Sequence, residues 1–383
     1  MDNTSSNQEE PPPKRIRIAS AVSMQIPVWK KILKDSLASP KQLSSFFKIP
    51  ESELGKVCSK YPARVNPYYA SLIKNINDSL YKQCIPDIKE INDEFGEEDP
   101  LHEEPENQAR KNVPSLLTHR YPDRILFRVS NQCAIYCRFC TRKRKVGDEN
   151  KNPTWSEILL ALKYIKEHEE IRDVLLSGGD PMMLDDAVLE KIIKSTVEII
   201  SSRKYSIIRI GTRIPCTLPQ RITPELCEML KKYSPIYINT HFNHPNEITN
   251  ESRKACSMLA DAGIPLGCQT VLLKGINDDP EIMKELMQGL VSMRVKPYYI
   301  YQADPVKGTN HFRTKVEKGL EIIRNIRGFT SGLCVPHFVI DAPGGGGKIP
   351  ISPDYILSAD ENKIELLNYE GRNFTYPQVK DIE

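Results

Sequence analysis

The sequence predicts an α/β fold: a partial (β/α)6 barrel, preceded by a helical segment and followed by a short lysine-bearing segment. Three observations predict it. From residue 125 onward, short β-like apolar runs alternate with helical stretches through six βα units, and a further strand follows. Consecutive βα units imply right-handed crossovers and a parallel sheet. Six units are too few to close an eight-fold barrel, so an open, concave sheet is expected. Finally, the polar residues that stand out, Ser177–Asp180, Thr212–Arg213, Asn239–His244, Gln269 and Asp304, all fall where strands end. Parallel α/β folds place their sites at that edge.

The elements follow in order. Residues 1–25 read as a disordered tail: polar, with Pro11, Pro12 and Pro13, then Lys14, Arg15 and Arg17. Asp2, Glu9 and Glu10 argue against a transit peptide. Residues 26–112 form a helical region and connector, with breaks at Pro40, Pro50, Pro62 and Pro67. The stretch 85–112 is rich in Glu, Asp and Asn and reads as an exposed connector. The core, 113–330, opens with THRYPDRILFRVS, residues 118–130, which ends in a β-like run. Residues 154–168 form a helix with Trp155, Ile158, Leu159, Leu162 and Ile165 on one face.

Strands are expected at 174–180, 206–213, 236–242, 265–273, 296–304 and 335–341. Helices are expected at 184–202, 223–233, 251–262, 280–292 and 315–327. Thr223 and Pro224 open the second of these as N-cap and first helical residue, and Gly263 stops the third. Residues 331–383 form the C-terminal segment.

Composition narrows the class. The 383 residues are enough for a full core, as one large domain with appendages or as two domains. A net charge of +3 gives no electrostatic case for nucleic acid or an anionic membrane. No run approaches 18 apolar residues, so no membrane-spanning helix is expected. The ten cysteines lack the density of a disulfide scaffold and read as reduced thiols in a cytoplasmic protein.

The stretch that the rest serves is NQCAIYCRFCTRKRK, residues 131–145. Cys133, Cys137 and Cys140 stand in a C-x3-C-x2-C spacing. Three thiolates are one short of a closed zinc site or a fully protein-ligated [4Fe–4S] cluster. A cluster held here has one open iron. A zinc knuckle with a remote fourth ligand is the alternative.

Ser177-Gly178-Gly179-Asp180 follows a strand directly, as a ligand-binding turn or a plain strand-to-helix turn. His241 and His244 sit at one strand end with two amides, for hydrogen bonding, packing or metal. Gln269, among apolar neighbours, is a cofactor contact or a satisfied buried amide. Pro343-Gly344-Gly345-Gly346-Gly347-Lys348 suggests a mobile loop presenting a lysine. A phosphate loop wants Gly-x4-Gly-Lys-Ser/Thr, whereas Ala342 holds the first position and Ile349 follows the lysine. A Schiff-base lysine for pyridoxal 5′-phosphate (PLP) fits better. Arg120 and Arg124 could clamp a phosphate or be surface charge. Arg142 lies near the thiols by covalent necessity and suits a carboxylate, while Lys143, Arg144 and Lys145 read as a solvated face. Asp304 and Asp341 end two strands near one face, where a pair would suit a cationic ligand group.

With these residues in view, the chain resembles the lysine 2,3-aminomutases, radical S-adenosylmethionine (SAM) enzymes that also use PLP. The likeness runs from about residue 60 to 370 and is carried by THRYPDR, CxxxCRFCTRKR, SGGDP, NTHFNHPNE, YYIYQ-x-D, HFRT and VxDAPGGGGK.

The resemblance implies a barrel of the radical SAM type and a role for each matching position. Cys133, Cys137 and Cys140 would hold a [4Fe–4S] cluster, and Lys348 would carry PLP. Arg120, Tyr121 and Arg124 would sit at the PLP phosphate. Ser177, Gly178, Gly179, Asp180, His241 and Gln269 would line the SAM pocket. Arg142 would bind the substrate carboxylate, and Asp304 and Asp341 the ε-ammonium of lysine. The implied activity is migration of an amino group from Cα to Cβ of a small amino acid. L-lysine is favoured, arginine or another cationic amino acid is the alternative, and a lysine-type aminomutase in a protein-modification pathway is a further one. An electron donor such as flavodoxin or ferredoxin is implied.

Family members with a structural zinc between subunits use a cysteine where this chain has Asp279, and a cysteine cluster near the C-terminus. Residues 357–383 contain no cysteine, so no such zinc is expected, and homo-oligomerisation by another route is left open.

Overall fold

A computed structural model describes residues 26–379; the expected tail at 1–25 lies outside the described residues. The chain is organised by a nine-stranded sheet in strictly sequential order. A hairpin, β1 (Leu117–Tyr121) and β2 (Arg124–Ser130), opens it antiparallel. From β2, parallel pairing runs through β3 (Asp173–Gly178), β4 (Ile207–Gly211), β5 (Ile236–Thr240), β6 (Leu266–Leu272), β7 (Val295–Gln302) and β8 (His337–Ala342). The seven parallel strands are the six βα units and extra strand expected. β9 (Gly347–Ile351) closes the far edge antiparallel to β8. No pairing joins the two edges among the described residues, so the sheet is an open barrel.

Short N-terminal helices come first: α1 (Val28–Lys34), α2 (Pro40–Phe47), α3 (Glu51–Cys58), α4 (Pro67–Ser71) and α5 (Ser79–Cys84). Their prolines act as starts. Pro40 and Pro67 hold the first helical position, where a missing N–H costs nothing, and Pro50 is the N-cap residue of α3.

The crossovers use α6 (Trp155–Glu167), α7 (Asp186–Ile200), α8 (Ile214–Thr217) with α9 (Pro224–Lys231), α10 (Asn250–Asp261), α11 (Pro280–Ser292) and α12 (Val316–Ile326). α6 buries Ile158, Ala161, Leu162, Tyr164 and Ile165, while Leu159, expected on that face, points to solvent. The buried stripe of α6 is rotated towards Ala161 and Tyr164, which pure hydrophobicity undervalues. Thr223 caps α9 by accepting from Leu226 N–H, and Asp279 caps α11 by accepting from Glu281 and Ile282 N–H. Ile208, Ile210, Ile236 and Ile238 fill the barrel wall at 2 % exposure or less. Each such side chain contributes about 1.5–3 kcal/mol of burial free energy.

Beyond the barrel, β10 (Ile356–Ala359), β11 (Lys363–Leu367) and β12 (Asn373–Pro377) form a separate antiparallel sheet. Its strands bury little: Ile356, Leu357, Phe374 and Tyr376 are all exposed.

The stretch 85–112 is not an exposed connector. Glu90, Asp93, Glu103 and Gln108 are buried, and the segment straps the barrel mouth. Its acids pair with the basic run after the cysteines, which is therefore not a solvated face either. Lys143 reaches Glu90 at 2.8 Å and the carbonyls of Arg138 and Gly308. Arg144 reaches Asp99 and Glu104, and Lys145 reaches Glu104. Charges buried away from water persist because each has its counter-ion.

Candidate functional site

The loop after β2 carries Cys133, Cys137 and Cys140, all unpaired as disulfides. Two glycines hold it in place. A Cβ on Gly178 would lie 2.2 Å from Ser130 O, and one on Gly179 would lie 2.6 Å from Gln132 O. Only glycine lets β3 end this close to the backbone that feeds Cys133. The N–H groups of Gly179 and Asp180 donate to Ser130 O and Gln132 O, so this backbone freedom serves the cysteine loop directly.

Burial pushes the Cys133 thiol well up, and Asp180, Cys140 and Cys137 add to it. Cys140 Sγ also accepts from the N–H of Arg142 at 3.3 Å. Among the described residues no three metal-binding side chains converge on a single mononuclear ion. A cubane spreads its cysteines over separate irons, and three soft thiolates with a vacant fourth position suit it.

Asp180 is fully enclosed. It accepts from the Thr212 hydroxyl at 2.7 Å and from the N–H groups of Met182 and Arg213. Burial raises its carboxyl to about 6 against these donors. His241 Nε2 donates to Asn243 Oδ1, 2.9 Å away, and its ring lies 5.6 Å from Phe139. Burial, then Arg213, lowers it to about 3, so it stays neutral. Gln269 accepts from the Tyr298 hydroxyl at 3.1 Å. Thr240 Oγ1 and Gln302 Oε1, at the same strand ends, are buried without a partner in the protein. Buried polar orphans of this kind are what a polar ligand would satisfy.

The second half of the site is the β8–β9 hairpin. Its register pairs Asp341 with Lys348. The glycines build the turn: Gly344, Gly345 and Gly347 have positive φ, and Gly347 lies against the Tyr121 hydroxyl. That hydroxyl accepts from Lys348 N–H at 2.9 Å. Lys348 Nζ meets Asp341 Oδ2 at 3.0 Å, and Arg120 Nη1 meets Asp341 Oδ1 at 2.8 Å. Arg124 stacks on the Tyr121 ring at 3.9 Å. An amine on a strand, with Arg120 on the same carboxylate and the Tyr121 phenol on its backbone, fits an aldehyde coenzyme with a phosphate tail.

Asp304 lies two residues beyond the end of β7. Burial, then Asp341, raises its carboxyl to about 7, with Lys348 opposing. Two neighbouring carboxylates, one pushed up by burial and by the other, suit a cationic group between them.

Arg142 is placed differently from expectation. Its Nε and Nη2 form a bidentate pair with Glu103 at 2.7 and 2.6 Å. Nη1 faces Ser177 Oγ and Gly178 O at 3.4 and 3.3 Å. Burial would raise the Glu103 carboxyl, but Arg142 outweighs it and holds it at about 2. Glu103 was invisible in sequence because it sits in an acid-rich run that local pattern assigns to solvent. Arg213 was noted only as a strand-end residue. The signal that marks both is pairing across the chain, which one sequence does not display.

Residues 323–382 match the family profile described as Lysine-2,3-aminomutase, and residues 127–287 match that of the Radical SAM superfamily. The chain is 50% identical over 362 residues to L-lysine 2,3-aminomutase of Methanococcus maripaludis, covering 92% of this chain and 82% of that protein. It is 49% identical to the L-lysine 2,3-aminomutase of Acetoanaerobium sticklandii, with 91% and 84% covered. It is 44% identical to a glutamate 2,3-aminomutase of Clostridioides difficile, with 90% and 81% covered. With cysteine loop, open barrel and lysine hairpin assembled on one face, this chain belongs to the lysine 2,3-aminomutase family of radical SAM proteins.

Proposed function

We propose that this chain is a radical SAM aminomutase that converts L-lysine to β-lysine. One observation carries the choice of substrate: Asp341, close enough to Asp304 to raise its carboxyl, already holds a lysine ammonium, that of Lys348, at 3.0 Å. A substrate ε-ammonium has the same chemistry, whereas the side chain of glutamate would be repelled there.

When bound, the reduced [4Fe–4S] cluster and SAM supply a carbon radical that removes and returns hydrogen, and PLP supplies a π system for moving nitrogen from Cα to Cβ. The chain's own residues hold and orient. Cys133, Cys137 and Cys140 ligate the cluster, and Ser177, Gly178, Gly179, Asp180, His241 and Gln269 line the SAM side. Lys348 anchors PLP, with Arg120, Tyr121 and Arg124 at its phosphate. Arg142, its plane fixed by Glu103 through Nε and Nη2, keeps Nη1, now in long contacts with Ser177 Oγ and Gly178 O, as the group that would meet the substrate carboxylate. Asp304 and Asp341 take the other end. Two grips at opposite ends fix the reacting carbons between them, which is where orientation lowers a barrier.

The reducing electron comes from a flavodoxin- or ferredoxin-type donor. A cytoplasmic setting is supported by ten unpaired cysteines. Among the described residues no helix is long and apolar enough to cross a membrane.

The test is anaerobic reconstitution with iron, sulfide and PLP, then incubation with SAM, reductant and L-lysine, L-arginine or L-glutamate in parallel. β-Lysine is the expected product. Turnover of arginine or glutamate with lysine untouched would overturn the substrate assignment.

A further inference from the structure

Arg213 lies at the C-terminal end of β4, outside every role assigned above. Its guanidinium is buried, and Nη1 donates to Cys137 Sγ at 2.8 Å. Nη2 donates to Gln83 Oε1 and to Glu247 Oε1, each at 2.6 Å. The carbon of the guanidinium lies 5.3 Å from the centre of the Phe139 ring, next in sequence to the last cysteine. Its backbone N–H is fixed by Asp180 at 2.8 Å.

This arrangement is over-determined. Glu247, which takes the far side of the guanidinium, also accepts from the Tyr69 hydroxyl and from the N–H groups of Asn243 and His244. Its charge is therefore shared among four donors. Gln83 is itself bound by Asn243 Nδ2 at 3.0 Å. The cation is thus clamped from behind and presents one N–H to one sulfur in a site without bulk water. Glu247 pairs the buried charge, and the N–H groups of Nη1, which Glu247 does not take, face the Cys137 sulfur.

We propose that Arg213 is a positioning residue that sets the redox poise of the cluster through its N–H bond to Cys137. The proposal rests on the reading that the three thiols hold a [4Fe–4S] cluster. Reduction adds one electron, supplied by the external donor, and hence one negative charge to the cluster. A fixed cation and a donor on a ligand sulfur withdraw electron density and favour that reduced state; hydrogen bonds to sulfur and local charge are established levers on such potentials. In this site the effect makes the cluster reducible by a biological one-electron donor before SAM is cleaved.

The experiment is an anaerobic potentiometric titration of the reconstituted full chain, followed by electron paramagnetic resonance of the reduced cluster, without lysine or turnover. Arg213→Gln keeps a polar side chain and removes the charge. It is expected to lower the ratio of reduced to oxidised cluster at fixed poise at least tenfold, which is 59 mV for one electron. Arg213→Lys, with the charge but not the planar fork, is expected to fall between. An unchanged midpoint in Arg213→Gln with full iron content overturns the proposal.

A second measurement uses the unaltered sequence, so that failure of the variants to take up a cluster does not leave the question open. Protein grown on arginine labelled with 15N in the guanidino group is expected to show a 15N coupling to the reduced cluster, replaced by the corresponding 14N coupling in an unlabelled control. No such coupling overturns the proposal, and absence of any cluster from the wild-type chain overturns the underlying reading as well.

Discussion

At the scale of single residues, the site turns on carboxyls whose neighbours set their charge. Asp304 is the most exposed to pH. Its raised value of about 7 comes first from burial and then from Asp341. Below that pH the free site carries a neutral Asp304 and loses half of its attraction for an ammonium; above it the carboxylate is ionised and attraction is full. The apparent affinity for lysine should therefore fall as pH drops below 7, by up to about tenfold per pH unit for one titrating group. In Asp304→Asn that pH dependence should vanish while overall affinity drops. Measuring lysine binding or KM from pH 6 to 8.5 in both proteins checks it, and an unchanged slope in the variant would assign the titration elsewhere.

Asp304, Asp341, Lys348 and the three cysteines were legible because strand ends and glycine-flanked residues announce themselves in sequence. Arg142 was legible as a residue, but Glu103, its partner, lies 39 positions away, and no local pattern links them.

At the scale of elements, the barrel was readable and the strap was not. Apolar runs of period two and helical stripes of period 3.6 each report on a single element's own burial. The six βα units and their caps follow from that alone, down to Thr223 and Pro224 at the start of α9. The stretch 85–112 has few apolar residues, so its burial depends on charge pairing with residues 138–145, which periodicity cannot register. Glu90 is its anchor: it takes Arg138 at 2.9 Å through Nε and Lys143 at 2.8 Å. Burial lowers Lys143 to about 8, with Glu90 as its chief support.

Removing the negative charge leaves two cations enclosed. Glu90→Gln should cost about 3–5 kcal/mol of stability at neutral pH, read from denaturant unfolding. A loss under 1 kcal/mol would mean that the strap does not depend on this cluster. The glycine loop is a similar lesson. Four glycines suggest mobility in sequence, and three of them supply the positive φ of a hairpin that sets Lys348 opposite Asp341.

At the scale of the whole molecule, one open sheet brings two chemistries face to face. Its first parallel strand delivers the thiols, its last delivers Asp341 and, through the hairpin, Lys348. An open edge leaves room between them for a ligand set that a closed barrel would fill with side chains. The separate C-terminal sheet went unread in sequence, because its strands bury little and alternate weakly.

The central claim is that the thiols hold an iron–sulfur cubane with one vacant iron, facing an exchangeable lysine amine. Electron paramagnetic resonance of anaerobically purified, reduced protein tests it most directly. The account predicts a [4Fe–4S] signal that changes shape when SAM is added. Zinc at Cys133, Cys137 and Cys140 with no cluster signal would contradict it.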